Sequence, residues 1–485
     1  MQYDIIVVGG GLGGLTAGAK LAREGKKVLL IEQHSKPGGC ATTFKRDGFT
    51  LEVGLHEMDG PSPKDMKNRI FRDLEVTDNV QFKKIPEFYR FISDNVDITI
   101  SHEPEEAATV LKKVFPSESD GIDAYFTRIL NPKRKHAEGD AMQDISLGHF
   151  LDSVIGNEDL KLVLLGNLGY FHDDPYSISL TYYSVAQGSY YSGGASFIKG
   201  GSQKLSDHLA GFIHNKGGEI LLRHLVTGFI EKEGRLTGVT YRKKAQTSKQ
   251  MTAFADEIIL NAAIGNMAEW LPEKQGSKLK GEIEKQKPGA SLLTIYFGFK
   301  NNLNHIGSNH YSTFVFDGSI KTQADIISNN KDNFDKRSFT FIDYGRVDSG
   351  LAQGNKSVGA LCCIDYIGNW EHLSRSEYKA KKERVAQTFI GRLEKILPGI
   401  ENEIEYFEVG TPLTIKRYTL NPGGAVYGFA QVPSKPELDT SFLPENLHFA
   451  SAWGKTGGGF SGAIYSGYLC AYNILRKQAG NRARQ

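Results

Sequence analysis

The sequence predicts an α/β fold that begins with a parallel sheet, and three observations near the N-terminus carry this prediction. Residues 5–8 (IIVV) form a continuous apolar run, as expected of a strand that is buried on both faces. A stretch with small residues on one helical face follows, at residues 15–22. Residues 28–31 (VLLI) then form a second apolar run. This order of strand, helix and strand indicates adjacent parallel strands joined by a crossover helix.

A glycine motif connects the first predicted strand to the helix. It comprises Gly9, Gly11, Leu12, Gly13 and Gly14, which fit G-x-G-x-x-G. Such glycines let the backbone approach a pyrophosphate, and the N-terminus of the helix stabilises its negative charge. Glu32 ends the second strand, where a carboxylate can take both hydroxyls of a ribose and would repel a 2′-phosphate. The motif predicts a dinucleotide-binding site, which also includes Gln33. It does not distinguish NAD from FAD.

Composition restricts the class of protein. A chain of 485 residues predicts two or three domains, and 58 basic against 56 acidic residues leave a net charge of +2, too small to recruit nucleic acid. The four cysteines (Cys40, Cys362, Cys363 and Cys470) lack metal-ligand spacing, so we expect reduced thiols and no metal. No signal peptide and no spanning apolar run are expected, which favours a cytoplasmic protein, with peripheral contact to the inner face of the membrane left open.

The segment after the second strand indicates which of the two dinucleotides is bound. It contains Gly38, Gly39 and Cys40, then a half-buried strand at residues 49–53 and a loop that carries His56 and Glu57. An acid followed by a Gly-Gly turn and a strand resembles the amine-oxidase and phytoene-desaturase superfamily of flavoproteins. The resemblance implies that the Gly-Gly segment runs along an extended FAD towards its flavin ring.

Two later stretches resemble the same superfamily. Residues 192–242 contain a Gly-Gly-Ser turn, an amphipathic helix and a strand around Val226, which the resemblance places at the adenine ring. Near the C-terminus, a strand leads into a glycine-rich turn and a helix. The resemblance implies that Gly459, Phe460 and Ser461 direct this helix at the flavin, where its dipole stabilises negative charge. Trp453 stands near the position of the usual ribityl-binding acid and is included in the predicted site, although it offers only one N–H.

The resemblance also implies a domain organisation. The FAD-binding domain, of Rossmann type, is expected to combine residues 1–70, 195–265 and 410–485. Residues 71–194 and 266–409 are expected to form an α+β substrate-binding domain with a mixed or antiparallel sheet. The runs LTIYFGF and ALCCIDYI in the second of these segments predict strands of that sheet.

Two stretches indicate a branch of the superfamily. Residues 42–60 and 410–429 resemble the group of carotenoid isomerases, retinol saturases and carotenoid desaturases. This implies an FAD-dependent oxidoreductase that acts on carbon–carbon bonds of a hydrophobic polyene, by desaturation, saturation or cis–trans isomerisation. The alternative is an amine or amino-acid oxidase on a small polar substrate, although monoamine oxidases usually carry arginine where this chain has Cys40. A non-catalytic flavoprotein is disfavoured because the motifs are intact apart from Trp453.

The sequence offers few candidates for catalysis. His56 and Glu57 are the acid–base candidates, against the alternative of hydrogen-bonded loop residues. Lys199 precedes a glycine turn and is expected either to reach the cofactor or to lie in solvent. Residues 160–194 contain six tyrosines, which suit either a tunnel for a hydrophobic chain or an ordinary core. We expect the mouth of the tunnel within residues 71–190; the electron acceptor or donor is left open.

Overall fold

Hydrophobic runs in the chain form two large sheets, and helices cover them. The computed structural model describes residues 2–63, 65–132, 144–245, 249–454 and 456–482. Within these ranges the strands are β1 (Gln2–Val8), β2 (Val28–Glu32), β3 (Thr43–Arg46), β4 (Phe49–Glu52), β5 (Met58–Asp59), β6 (Phe82–Lys84), β7 (Tyr89–Ile92), β8 (Asp97–Ile100), β9 (Ala195–Ile198), β10 (Glu219–Leu222), β11 (His224–Lys232), β12 (Arg235–Lys243), β13 (Met251–Leu260), β14 (Ser291–Phe299), β15 (Ser312–Val315), β16 (Phe339–Asp343), β17 (Ser357–Asp365), β18 (Ile404–Gly410) and β19 (Leu447–Phe449).

The α-helices of the same ranges alternate with these strands. They are α1 (Leu12–Arg23), α2 (Met66–Asp73), α3 (Val76–Asn79), α4 (Pro104–Val114), α5 (Ser119–Leu130), α6 (Leu147–Val154), α7 (Glu158–Leu164), α8 (Leu180–Gly193), α9 (Gln203–Asn215), α10 (Glu273–Glu284), α11 (Ile326–Asn329), α12 (Arg375–Ile396), α13 (Ile400–Glu403), α14 (Pro412–Thr419) and α15 (Gly459–Arg482). None of the helices in the described ranges combines the length and the apolar character that crossing a membrane requires.

The first sheet confirms the predicted parallel arrangement. Its strand order is β10-β2-β1-β13-β12-β11, and β19 also pairs with β13. The strands β10, β2, β1, β13 and β19 run parallel, whereas β11 and β12 form an antiparallel edge. The burial of every residue in β2 explains its continuous apolar sequence. This sheet brings together strands from near residue 30, near residue 220 and near residue 448, so its loops come from distant parts of the chain.

The second sheet is mixed, as predicted. Its order is β18-β14-β17-β16-β15-β7-β8, with antiparallel pairs except where β15 runs parallel to β7. The run LTIYFGF lies in β14, and the run ALCCIDYI lies in β17 up to Asp365, where the chain leaves the sheet because Tyr366 caps a 3-10 turn. The two strands pair along their whole length. Apolar side chains of α12, including Phe389 and Ile390, pack with this sheet in one hydrophobic cluster. The boundaries of the two domains stay a prediction.

Close packing of helices holds the first sheet to the C-terminal segment. A β-carbon at Gly467 of α15 would lie 2.1 Å from the carbonyl oxygen of Gly13 in α1, so the two helices touch through their backbones. A β-carbon at Gly13 would in turn lie 2.0 Å from the carbonyl oxygen of Ala450, just after β19. Small residues at these positions therefore bring the N-terminal ends of α1 and α15 to the same side of the sheet.

Candidate functional site

A cavity of about 1100 Å³ lies at the carboxyl ends of the parallel strands. Ligand sites in open α/β sheets are found at this edge, and their volumes are typically about 300–1,000 Å³. Thirteen of the fifteen residues predicted to bind a cofactor line this cavity: Gly9, Gly11, Leu12, Gly13, Glu32, Gln33, Gly38, Gly39, Cys40, Val226, Trp453, Gly459 and Phe460. The large cavity is therefore the candidate cofactor site, although the role of each residue stays a prediction.

The glycine turn places the N-terminus of α1 at the cavity. Gly9 has a φ of +99°, and a β-carbon there would lie 2.7 Å from the carbonyl oxygen of Asn261. Gly14 does not line the cavity. A β-carbon on Gly14 would lie 2.3 Å from the carbonyl oxygen of Gly9, so this glycine allows α1 to pack closely against the turn. Because Gly11 is the N-cap of α1, the first amides of this helix are available to an anion in the cavity.

Glu32 ends β2 with its carboxylate held in place. Its Oε2 accepts a hydrogen bond from the amide of Gly10 and its Oε1 from the amide of His34, each at 2.6 Å. An ionised carboxylate has about four acceptor positions, so these two bonds leave capacity for two further donors. The position and orientation of Glu32 therefore suit the two hydroxyls of a ribose in the cavity.

The Gly-Gly segment (Gly38 and Gly39) lines the cavity next to the glycine turn. The amide of Gly38 donates to the carbonyl oxygen of Gly10 at 2.7 Å, and Gly38 has a φ of +126°, which glycine adopts without strain. Burial raises the pKa of the neighbouring Cys40 thiol to about 11. The thiol is therefore neutral at pH 7 and a poor nucleophile.

The other end of the cavity is formed by the start of α15. Gly459 and Phe460, the first residues of α15, line it together with Trp453, whose indole N–H donates to Asn421 at 3.3 Å. Trp453 therefore presents mainly apolar surface. Ser461 does not line the large cavity, because its hydroxyl is directed to the carboxylate of Asp59 at 2.5 Å.

A second, smaller chamber of about 290 Å³ adjoins the large cavity. The two have common walls, formed by Val53, Gly54, Leu292, Thr294, Tyr427, Gly459 and Phe460. The chamber walls are mainly aromatic and aliphatic, with aromatic residues Tyr170, Phe171, Tyr182, Tyr190, Phe314, Phe316, Phe339, Tyr427, Phe460 and Tyr465. A chamber of this composition that adjoins the cofactor cavity at the start of α15 is the candidate substrate site.

His56 and Glu57 both line the chamber, as predicted from their loop. Burial lowers the pKa of His56 to about 4, so its imidazole is neutral at pH 7. Burial, with a contribution from the charge of Glu87, raises the pKa of Glu57 well above its usual value. Among the described residues neither carboxyl oxygen of Glu57 has a hydrogen-bonding partner. Both effects favour the neutral, protonated form of Glu57, in which the carboxyl group can donate a proton.

The aromatic tract at residues 160–194 supplies one wall of this chamber. Its lining members are Gly166, Leu168, Gly169, Tyr170, Phe171, His172, Tyr182, Val185, Ala186, Ser189 and Tyr190. Tyr183 and Tyr191 of the tract belong to the core, since both are buried and line neither cavity. Lys199 also lines neither cavity; its ammonium pairs with Asp348 at 2.6 Å, with more than a third of its side chain exposed.

Sequence reasoning missed an ion network beside the chamber. Lys67 is fully buried between the carboxylates of Asp59 and Asp65, and Tyr465 donates to Asp65 at 2.6 Å. It also missed residues of β14, β16 and β17 on the chamber wall, among them Thr294, Thr340 and Cys362. The alternation of β14 indicates a strand but not which of its faces meets a substrate, so no local signal could have singled these residues out.

The parallel sheet, the glycine turn and the large cavity define a dinucleotide-binding protein, and comparison with known families identifies a flavoprotein. The family model described as "Flavin containing amine oxidoreductase" matches residues 12–475. The chain belongs to this family and is a flavin-dependent oxidoreductase.

Curated relatives and a solved structure resemble the chain over nearly its whole length. Prolycopene isomerase 2 of an Oncidium hybrid cultivar is 27% identical over 518 residues, covering 98% of this chain and 84% of the relative. All-trans-retinol 13,14-reductase of Danio rerio is 26% identical over 481 residues, covering 88% and 77%. An oxidoreductase from Methanosarcina mazei has the same fold, with a TM-score of 0.67 at 15% identity, covering 98% of this chain and all of that structure.

Proposed function

We propose that the protein is an FAD-dependent oxidoreductase that acts on carbon–carbon bonds of a hydrophobic polyene, by desaturation, saturation or cis–trans isomerisation. The observation that carries the proposal is the apolar, aromatic chamber that adjoins the inner end of the cofactor cavity. The similarity to a prolycopene isomerase and a retinol reductase supports it.

The residues of the large cavity fit FAD. Glu32 has acceptor capacity for an adenosine ribose, and the N-terminus of α1 offers amides to a pyrophosphate. Val226 lines the same cavity and is the proposed contact for the adenine. At the far end, the N-terminus of α15 would stabilise negative charge on the flavin. Bound there, the flavin would accept a hydride from the substrate or supply one to it.

The chamber would hold and shield the reacting chain. Its aromatic walls exclude water and orient a conjugated hydrocarbon against the cofactor, which reduces the entropy cost of reaching the reactive geometry. Glu57 is the proposed acid: in a saturation its proton would go to one carbon of a double bond while a hydride goes to the other. The neutral imidazole of His56, whose Nδ1 lies 4.0 Å from the Cys362 sulfur, is the proposed neighbouring proton acceptor.

We also propose that the substrate enters beside α8. Val185 lines the chamber and is 54% exposed, so this side chain lies at an opening within the region expected for the mouth. A polyene is nearly absent from water, since each buried methylene contributes about 0.8 kcal/mol to leaving it. Peripheral contact of a cytoplasmic protein with a membrane at this opening would supply the substrate.

The alternative is an amine or amino-acid oxidase. A small amino acid needs a cation for its carboxylate, and no arginine or lysine is among the described residues that line the chamber. Aromatic side chains could still cage an amine. The chamber therefore favours the polyene over the amino acid and leaves simple amines for the experiment to decide.

A substrate panel tests the proposal. The FAD-loaded protein is incubated anaerobically with carotenoids, with retinoids and with aliphatic and aromatic amines, once oxidised and once reduced with dithionite. Flavin absorbance reports electron transfer, and chromatography with mass detection reports a change of two hydrogens or an isomer of unchanged mass. We expect products from a carotenoid or retinoid only. Oxidation of an amine, with no product from any polyene, would instead assign the alternative.

A further inference from the structure

Two polar groups of the chamber stay without a function in the proposed chemistry. The hydroxyl of Tyr170 and Nε2 of His172 are buried and have no hydrogen-bonding partner among the described residues, although both residues line the chamber. Buried polar groups are almost always paired, because leaving one unpaired costs free energy. Glu57, the third lining residue with unpaired buried atoms, is accounted for by its role as the acid.

Both groups belong to one short stretch of the aromatic tract. Tyr170 ends the 3-10 turn Leu168–Tyr170, and its ring centroid lies 5.7 Å from that of His56. His172 follows two residues later and is 4% exposed. Its Nδ1 is already engaged, at 3.0 Å from the Asp173 carboxylate and 3.1 Å from the Asp174 amide, which fixes the ring and leaves Nε2 as the free atom.

We infer that the substrate is an isoprenoid that carries oxygen, as a hydroxyl or a carbonyl, and that Tyr170 and His172 form hydrogen bonds with this oxygen. The inference rests on the proposed function and narrows its substrate class. A purely hydrocarbon chain would leave both groups unpaired in the complex, and an oxygen function would pair them. A site built around such bonds discriminates strongly against the analogue that lacks the oxygen, because binding that analogue buries the polar groups without partners.

Two ligands with one carbon skeleton test the inference. Retinol and axerophtene, its deoxy hydrocarbon, are added from cyclodextrin to the oxidised FAD-loaded protein, and binding is followed by flavin absorbance. We expect the wild-type protein to bind retinol about tenfold or more tightly than axerophtene. Tyr170→Phe should reduce this ratio roughly three- to tenfold, mainly by weakening the binding of retinol. His172→Gln, which keeps a polar group at the position, should reduce it less.

Tyr89→Phe is the matched control. The Tyr89 hydroxyl is buried but donates to the carbonyl oxygen of Val163 at 2.9 Å, and the residue lies outside the chamber lining. This variant should leave the ratio unchanged. Equal binding of the two ligands, or an unchanged ratio in Tyr170→Phe, would overturn the inference while leaving the proposed function intact.

Two further outcomes are distinct from these. If neither these ligands nor any carotenoid binds, the proposed function itself fails and the inference fails with it. If Tyr170→Phe changes the flavin spectrum of the ligand-free protein, the tyrosine contacts the cofactor and the assignment to substrate oxygen is wrong.

Discussion

The hydroxyl of Ser461 donates a hydrogen bond to the carboxylate of Asp59 at 2.5 Å and so joins the first turn of α15 to β5, across some 400 residues of sequence. Asp59 also pairs with Lys67, whose ammonium is fully buried and reaches Asp65 at 2.8 Å. Both Asp59 and Ser461 line the chamber. The network therefore fixes the end of the helix that adjoins the cofactor cavity.

The first prediction concerns this network. Lys67→Met should lower the free energy of unfolding at pH 7 by about 3–5 kcal/mol, because it leaves the buried carboxylate of Asp59 and the partly buried carboxylate of Asp65 without their cation. Urea unfolding of the FAD-loaded protein measures the change. The exposed pair of Lys112 with Asp123 provides the control, and Lys112→Met should cost less than about 1 kcal/mol. Equal losses in the two variants would contradict the assignment of a stabilising network.

The second prediction concerns the cofactor. Glu32→Ala should weaken the affinity for FAD roughly 10- to 150-fold, since a hydrogen bond to a charged group contributes about 1.5–3 kcal/mol. Titration of the apoprotein with FAD measures this, and circular dichroism verifies that the variant is folded. Glu24 follows the last residue of α1, and its carboxylate is partly exposed. The control variant Glu24→Ala should therefore leave the affinity for FAD unchanged. A wild-type protein that never takes up FAD would refute the cofactor assignment.

The third prediction uses the raised pKa of Glu57. In the folded protein Glu57 holds its proton above the pH at which the unfolded chain releases it. The folded state then binds more protons, so stability falls as the pH rises above about 4.5, by up to about 1.4 kcal/mol per pH unit. Glu57→Gln removes this loss, so urea unfolding at a series of pH values should show the variant gaining stability relative to the wild type as the pH rises above about 4.5.

The comparison with the wild type is needed because other buried groups, among them His56 and Glu52, titrate in the same pH range. Burial lowers the pKa of His56 to about 4, so His56 makes stability rise with pH between about 4 and 6.5. Burial raises the pKa of Glu52 to about 7, which adds a fall in stability up to that pH. Both contributions persist in Glu57→Gln. A difference in stability between the variant and the wild type that stays constant from about pH 4.5 to pH 9 would show that the pKa of Glu57 is not raised in the folded protein.

The sequence predicted the strands and turns that depend on neighbouring residues. It did not predict contacts between segments that are distant in the chain. The continuous apolar runs of β1 and β2 and the glycine turn between β1 and α1 predicted the parallel sheet, because burial on both faces and close backbone approach leave clear traces in sequence. The same loop that suggested His56 and Glu57 does line the chamber. The buried Lys67 gave no such trace, since its two carboxylate partners are recognisable only once α2 folds against β5.

The last prediction concerns the route of the substrate. If the chamber opens at Val185 towards a lipid surface, Val185→Asp places a charge at the opening. Transfer of a polyene from the bilayer should then fall roughly tenfold or more, because burying a valine side chain contributes about 1.5–3 kcal/mol. Turnover of a polyene supplied in liposomes measures this, alongside flotation of the protein with the vesicles. Turnover from detergent micelles should change less, and FAD should stay bound. Val114→Asp is the matched control, because Val114 is similarly exposed, at 48%, on α4 and lines neither cavity. Equal turnover of the wild type and Val185→Asp from liposomes would place the entrance elsewhere on the molecule.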